Sequence, residues 1–158
     1  MPVPVPLRGY NQLWTINTIV DMVTYTMKIT SNKKVFLPEF DVVTERIVNT
    51  ALSIFDCAWG ANNIRVSKNP YRWLKRRDLQ ETAIIQCDNL QGQITLAKRV
   101  FHLKTKRMNF WNDSIEKCHG MLMRWRVGDC KRYDYLVKID GKPLDMKRWL
   151  SDIAVSRP

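Results

Sequence analysis

Apolar residues in this chain recur at steps of three and four in four separate segments. Leu13, Ile16, Val20, Val23 and Met27 form the first set. Phe40, Val43, Ile47, Thr50, Ile54, Ala58 and Ala61 form the second, with Thr50 its only polar member. Ala83, Cys87, Leu90, Ile94, Ala97 and Phe101 make the third, and Met108, Trp111, Ile115, Cys118, Leu122 and Trp125 the fourth. Such steps put each set on one stripe of an α-helix, whereas a half-buried strand alternates with period two. No segment of similar length alternates, so the expected class is all-α. Trp14, Ile19, Val48, Phe55 and Ile84 widen the stripes beyond a two-helix seam, and part of that surplus could face another subunit.

The links between segments carry the chemistry of helix ends. Thr30-Ser31-Asn32 ends the first helix, and Pro38 suits the first turn of the second. Asn69 is placed to cap the third helix, with Pro70 at its first position. The break between the third and fourth is expected at 103–105, with Thr105 as cap. Gly128-Asp129 closes the fourth. Gly92, inside the third helix, costs about 1 kcal/mol against alanine unless close packing compensates. Four long helices with short links imply an antiparallel up-down-up-down four-helix bundle. The bundle is assigned to residues 10–128. Residues 1–9, MPVPVPLRG, read as a short extended arm rather than a leader peptide. Residues 129–158 form a basic C-terminal extension, in which Pro143 can open a short helix carrying Leu144, Trp149 and Ile153.

Charge is distributed unevenly along the 158 residues. Residues 1–64 hold five Lys/Arg and five Asp/Glu, while 65–158 hold 21 Lys/Arg against ten Asp/Glu, so the entire net charge of +11 belongs to the second part. Such an excess costs self-repulsion and points to a polyanionic partner. If consecutive helices are antiparallel, the cations gather in two zones. One comprises Lys98, Arg99, Lys104, Lys106 and Arg107. The other comprises Arg65, Lys68, Arg72, Lys75 and Arg76 with Arg124, Arg126, Lys131 and Arg132. Phe110, Tyr71, Tyr133 and Tyr135 are candidates to stack on unpaired bases, while Trp111 and Trp125 lie on the apolar stripe.

Catalytic patterns are missing from the sequence. Cys118 and His119 are neighbours, so on a helix they point about 100° apart and cannot act as a nucleophile–base pair. Cys87 and His102 could meet only through the tertiary fold. No phosphate-binding glycine loop occurs, nor any Glu-x-x-His or Cys/His metal spacing, so neither enzyme activity nor a cofactor is expected. The cysteines at 57, 87, 118 and 130 form no CxxC pair and read as plain thiols of a reducing, cytoplasmic compartment. No run of about 18 apolar residues is present, so no membrane partner is expected.

The segments ERIVNTAL, AWGANNIRV, FHLKTKRMNFW and MRWRVGDCKRY, within residues 10–133, resemble the accessory variability determinant family of diversity-generating retroelements. Related bundles are encoded in intervening sequences of 23S ribosomal RNA genes. The resemblance implies a basic, barrel-like homopentamer that binds a reverse transcriptase and its template-repeat RNA, in contact also with the cDNA. It supports mutagenic cDNA synthesis without catalytic residues of its own. The basic character that carries over rests here on Arg72, Arg76, Lys104, Lys106 and Arg107. Two other readings fit the same composition: a general RNA- or ribosome-associated bundle, and a purely structural oligomer.

Overall fold

The computed structural model describes residues 5–139 and 142–143, with side chains from 12 to 138. Four long helices make the fold all-α: α1 (Val5–Thr30), α2 (Asp41–Asn63), α3 (Pro70–Phe101) and α4 (Thr105–Tyr133). A 3-10 turn, Pro38–Phe40, leads into α2, and a second, Asp134–Val137, follows α4. Lys138–Ile139 then pairs antiparallel with Lys142–Pro143. Each helix packs on its sequence neighbour, and α4 returns against α1.

Local chemistry explains the helix ends. Asn69 caps α3 as expected, its side-chain oxygen accepting from the amides of Tyr71 at 3.0 Å and Arg72 at 3.3 Å, with Pro70 at the first helical position where its missing N–H costs nothing. At the other end His102 is left-handed (φ 52°), and both its amide and that of Leu103 donate to Lys98 O. Both bonds fall on one carbonyl of the last turn, the pattern of a left-handed C-terminal cap. It also breaks the chain firmly between α3 and α4. Thr105 is not the cap of α4: Lys104 holds that position without a side-chain bond.

Two expected boundaries move. Helix α1 begins at Val5, so residues 5–9 are helical rather than an extended arm; Pro6 is tolerated because first-turn amides have no partner within the helix. Helix α4 runs through Gly128 to Tyr133, because Asp129 is drawn into the interior by α3 and holds the last turn in register. Leu144, Trp149 and Ile153 lie outside the described residues.

The main core buries Ile19, Met22, Phe36, Ile47, Ile54, Leu90, Ile94, Trp111, Ile115 and Leu122 completely. Each such large side chain contributes about 1.5–3 kcal/mol relative to exposure. The stripes expected for α3 and α4 are buried along their length. In α2 the stripe holds from Ile47 onward, while Phe40 is exposed. The α1 stripe holds only in part: Ile16 and Val23 are buried, but Leu13, Val20 and Met27 face outward, and Thr15, Thr18, Ile19, Met22, Thr26 and Thr30 face inward in their place. Threonine survives there because Thr26 donates to Met22 O at 2.9 Å and Thr30 to Thr26 O at 2.7 Å, so each hydroxyl is satisfied within its own helix. Trp111 Nε1 then donates to Thr26 Oγ1 at 3.0 Å, tying α4 to α1.

A smaller apolar cluster of Val66, Trp73, Leu74 and Val137, flanked by Tyr133 and Leu136, docks the segment after α4 onto the start of α3. The one hydrogen bond across it that involves an indole runs from Trp73 Nε1 to Asp134 Oδ1 at 3.1 Å.

Among the glycines of α2 and α3, Gly60 marks close approach: a Cβ there would lie 3.3 Å from Leu79 Cδ1 of α3. Gly92 differs, since a Cβ would meet nothing within 4 Å. Close packing therefore does not account for it. Gly92→Ala is expected to stabilise the fold by about 0.8–1 kcal/mol, read as a raised urea midpoint at unchanged slope. A lowered midpoint would show that another contact needs the glycine.

Candidate nucleic-acid interface

The turn between α3 and α4 carries the first cationic zone. Phe101 and Trp111 anchor it from inside, and Phe36 from the 31–40 link packs on both, with ring centroids 4.9 Å and 6.3 Å away. With the rings holding the turn, Lys98, Arg99, Lys104 and Lys106 are exposed and Arg107 is half-buried. None has a carboxylate within ion-pair distance among the described residues. Lys98 and Arg99 also oppose the negative end of the α3 dipole. Thr95, Lys98, Arg99, His102 and Leu103 line an open surface depression of about 550 Å³.

Sequence reasoning missed two members of this zone. Lys28, in the last turn of α1, and Lys34, in the 31–40 link that folds over Phe101 and Trp111, lie at the same end and are exposed. Their half of the chain is neutral overall, so composition could not single them out. Lys33, between them, is held by Asp41 at 2.9 Å.

The second zone is only partly as expected. Arg65, Lys68, Arg72 and Lys75 are exposed around the α2–α3 link, where Ser67 and Lys68 are both left-handed (φ 48° and 58°) and Asn69 N donates to Val66 O at 2.9 Å. Arg124 and Lys131 are exposed on α4. Three arginines of the expected set meet carboxylates instead. Arg76 is only 6% exposed. Its Nε donates to Asp129 Oδ2 at 2.8 Å, its Nη1 to Ile64 O at 3.0 Å, and its guanidinium lies 5.3 Å from the centre of the Trp125 ring. Gln80 Nε2 donates to the same Asp129 oxygen at 2.7 Å. A guanidinium so enclosed is a structural strut and is withdrawn as a binding residue. Arg126 places Nε and Nη2 on Glu81 Oε1 at 3.1 Å and 2.9 Å, which occupies its fork. Arg132 is exposed but stands 3.7 Å from Asp129 Oδ1.

The aromatic candidates also divide. Phe110 and Tyr135 are 61% and 62% exposed and Tyr71 46%, whereas Tyr133 packs on Trp73 at 5.3 Å. Trp111 and Trp125 are buried, as their stripe positions implied.

The remaining titratable groups are separated. Cys118 Sγ is directed at Thr18 O, 3.6 Å away, while the neighbouring His119 meets Asp88 on α3 at 3.4 Å. Burial pushes the Cys118 thiol up to about 12 and the Cys87 thiol higher still, against a weaker pull from Lys117 on Cys118. Both stay protonated and unreactive at neutral pH. His102 stands exposed at the turn, away from buried Cys87. Among the described residues all four cysteines are free, and no three His, Cys, Asp or Glu side chains come together as a metal site. No described helix is long and apolar enough to cross a membrane. No family model, curated protein or solved structure matches the chain.

Proposed function

We propose that this chain is a non-catalytic, cytoplasmic RNA-binding subunit that accompanies a reverse transcriptase and its template RNA, supporting mutagenic cDNA synthesis in a diversity-generating retroelement. The observation that carries the nucleic-acid part is the unneutralised charge. Of the fourteen cations expected to bind, eleven have no carboxylate within 4.0 Å among the described residues. Phosphate contacts need donors of this kind, which no carboxylate holds; of the eleven, Arg72 lends one Nη1 hydrogen to Arg65 O at 3.4 Å and keeps the rest of its fork. The polymerase and the template-repeat RNA rest on the resemblance of ERIVNTAL, AWGANNIRV, FHLKTKRMNFW and MRWRVGDCKRY to the accessory variability determinant family.

The same reading takes the architecture as an antiparallel up-down-up-down bundle. Contacts that pair rising with falling residue numbers support it: Arg76 with Asp129, Glu81 with Arg126 and Asp88 with His119 between α3 and α4, and Thr18 with Cys118 and Thr26 with Trp111 between α1 and α4. A homopentamer follows from the resemblance. Outward-facing Leu13, Val20 and Met27 on α1, with Leu52 and Trp59 on α2, offer apolar surface for such an assembly.

The test is a salt titration of the purified protein with a structured RNA, paired with co-purification against a co-expressed reverse transcriptase. Binding through about six to ten phosphates loses roughly 10³–10⁵ in affinity between 50 and 200 mM salt, and the polymerase stays bound through purification. RNA binding without polymerase capture moves the chain to the general RNA-bundle reading. No RNA binding at 50 mM salt leaves only the structural oligomer.

A further inference from the structure

At the cationic end of the bundle one aromatic ring stands apart from the rest. Phe110 is 61% exposed on α4, yet it is not loosely held. Its ring centre lies 4.9 Å from that of Tyr25 on α1, tilted by 59°, and Tyr25 in turn meets Trp111 edge-on at 6.5 Å. Trp111 is completely buried and hydrogen-bonded to Thr26. The exposed ring is thus the outermost of three, fixed from inside by the core.

Its neighbours are cations. Lys106 and Arg107 lie four and three residues earlier on α4, so they share its side of the helix. Lys28 lies three residues after Tyr25 on α1. Arg107 is close enough to Tyr25 for its charge to act on the phenol. Acids bound the cluster on the side away from the helix turn: Asp113 one turn beyond Phe110, and Asp21 one turn before Tyr25. Val20 on α1 and Leu52 on α2, also exposed, have no Lys or Arg within four residues along their helices.

We propose that Phe110, backed by Tyr25 and flanked by Lys28, Lys106 and Arg107, is a stacking platform for an unpaired nucleobase, which makes this end of the bundle selective for single-stranded over duplex nucleic acid. The inference rests on the nucleic-acid reading above and goes beyond it by assigning the strand state and the ring that reads it. A fixed ring with one side open to solvent can stack on any base, since every base has a π-face, and nearby cations hold the backbone that carries it. In a duplex the base faces are already stacked on each other, so the ring has nothing to add.

Fluorescence anisotropy at 50 mM salt, with the full chain, compares a 12-mer oligouridylate, an RNA duplex of equal length and an abasic 12-mer. An oligothymidylate arm tells whether ribose or deoxyribose carries the strand. Phe110→Ala should weaken single-strand binding roughly 5- to 150-fold, the range for losing one stacked base, and leave the duplex and the abasic strand within twofold. Phe110→Trp should hold or raise single-strand affinity. The exposed position makes both variants compatible with the fold, and circular dichroism checks it. Equal loss on single strand and duplex, no loss on single strand, or a change in oligomeric state on Phe110→Ala would each overturn the platform while leaving the basic reading intact. Absence of binding to every oligomer by the unaltered protein overturns both.

Discussion

Replacing Asp129 with alanine should cost the fold about 3–5 kcal/mol, the penalty for leaving a buried charge without its partner. The reason is the position of Arg76. Its guanidinium is buried among Asp129, Ile64 O and Trp125, and Gln80 depends on the same carboxylate oxygen. Without Asp129 a full positive charge and an amide donor are left in the interior with one carbonyl between them. Urea denaturation reads the loss as a lowered midpoint. A converse experiment separates the network's net worth from the cost of breaking it: Arg76→Met with Asp129→Leu and Gln80→Leu should be near neutral or stabilising, because all three buried polar groups are then replaced together and no donor is left unpaired. A loss below about 1 kcal/mol for Asp129→Ala would mean that water reaches the guanidinium and that the pair behaves as a surface one.

The second large effect concerns binding. Changing Lys104, Lys106 and Arg107 together to glutamine removes three phosphate donors without touching the core. On a single strand each contact contributes about 0.7 to the slope of log affinity against log salt, so the slope should fall by about two. At 0.1 M salt that amounts to roughly a 100-fold weaker complex. Arg126→Gln is the control: its fork is already on Glu81, so the slope should not change. A triple variant with unaltered slope would show that the charge at this turn serves solubility alone.

Much of this architecture was legible in the residues, and the parts that were not have physical reasons. The stripes of α3 and α4 read correctly because their inward positions are nearly all apolar. The pattern reads only part of the inward face of α1 because four inward positions are threonines, which it counts as polar although the hydroxyls of Thr26 and Thr30 are satisfied within the helix. Arg76 was misassigned by treating arginine as a surface residue. A signal against that was present. The buried positions Trp73, Arg76, Gln80 and Ala83 continue the three–four stepping of α3 backwards, and Asp129 continues the stepping of α4 past Trp125. Opposite charges at the matching ends of two buried stripes are a readable pair once the helices are known to be neighbours. Lys28 and Lys34 were readable from the expected topology, since an up-down-up-down bundle puts the end of α1 and the 31–40 link beside the α3–α4 turn, but net charge by segment hid them.

Of the eleven expected cations that no carboxylate holds among the described residues, nine lie near the two ends of α3: Arg65, Lys68, Arg72 and Lys75 at one, and Lys98, Arg99, Lys104, Lys106 and Arg107 at the other. Their facing members, Lys75 and Lys98, stand 23 residues apart on one helix, roughly 35 Å at 1.5 Å per residue, more than three times the screening distance of about 10 Å at 0.1 M ionic strength. The molecule is therefore a strut with two like-signed poles that do not feel each other. On the proposed nucleic-acid reading, a strand long enough to span both would be held at two anchorages with a fixed gap between them.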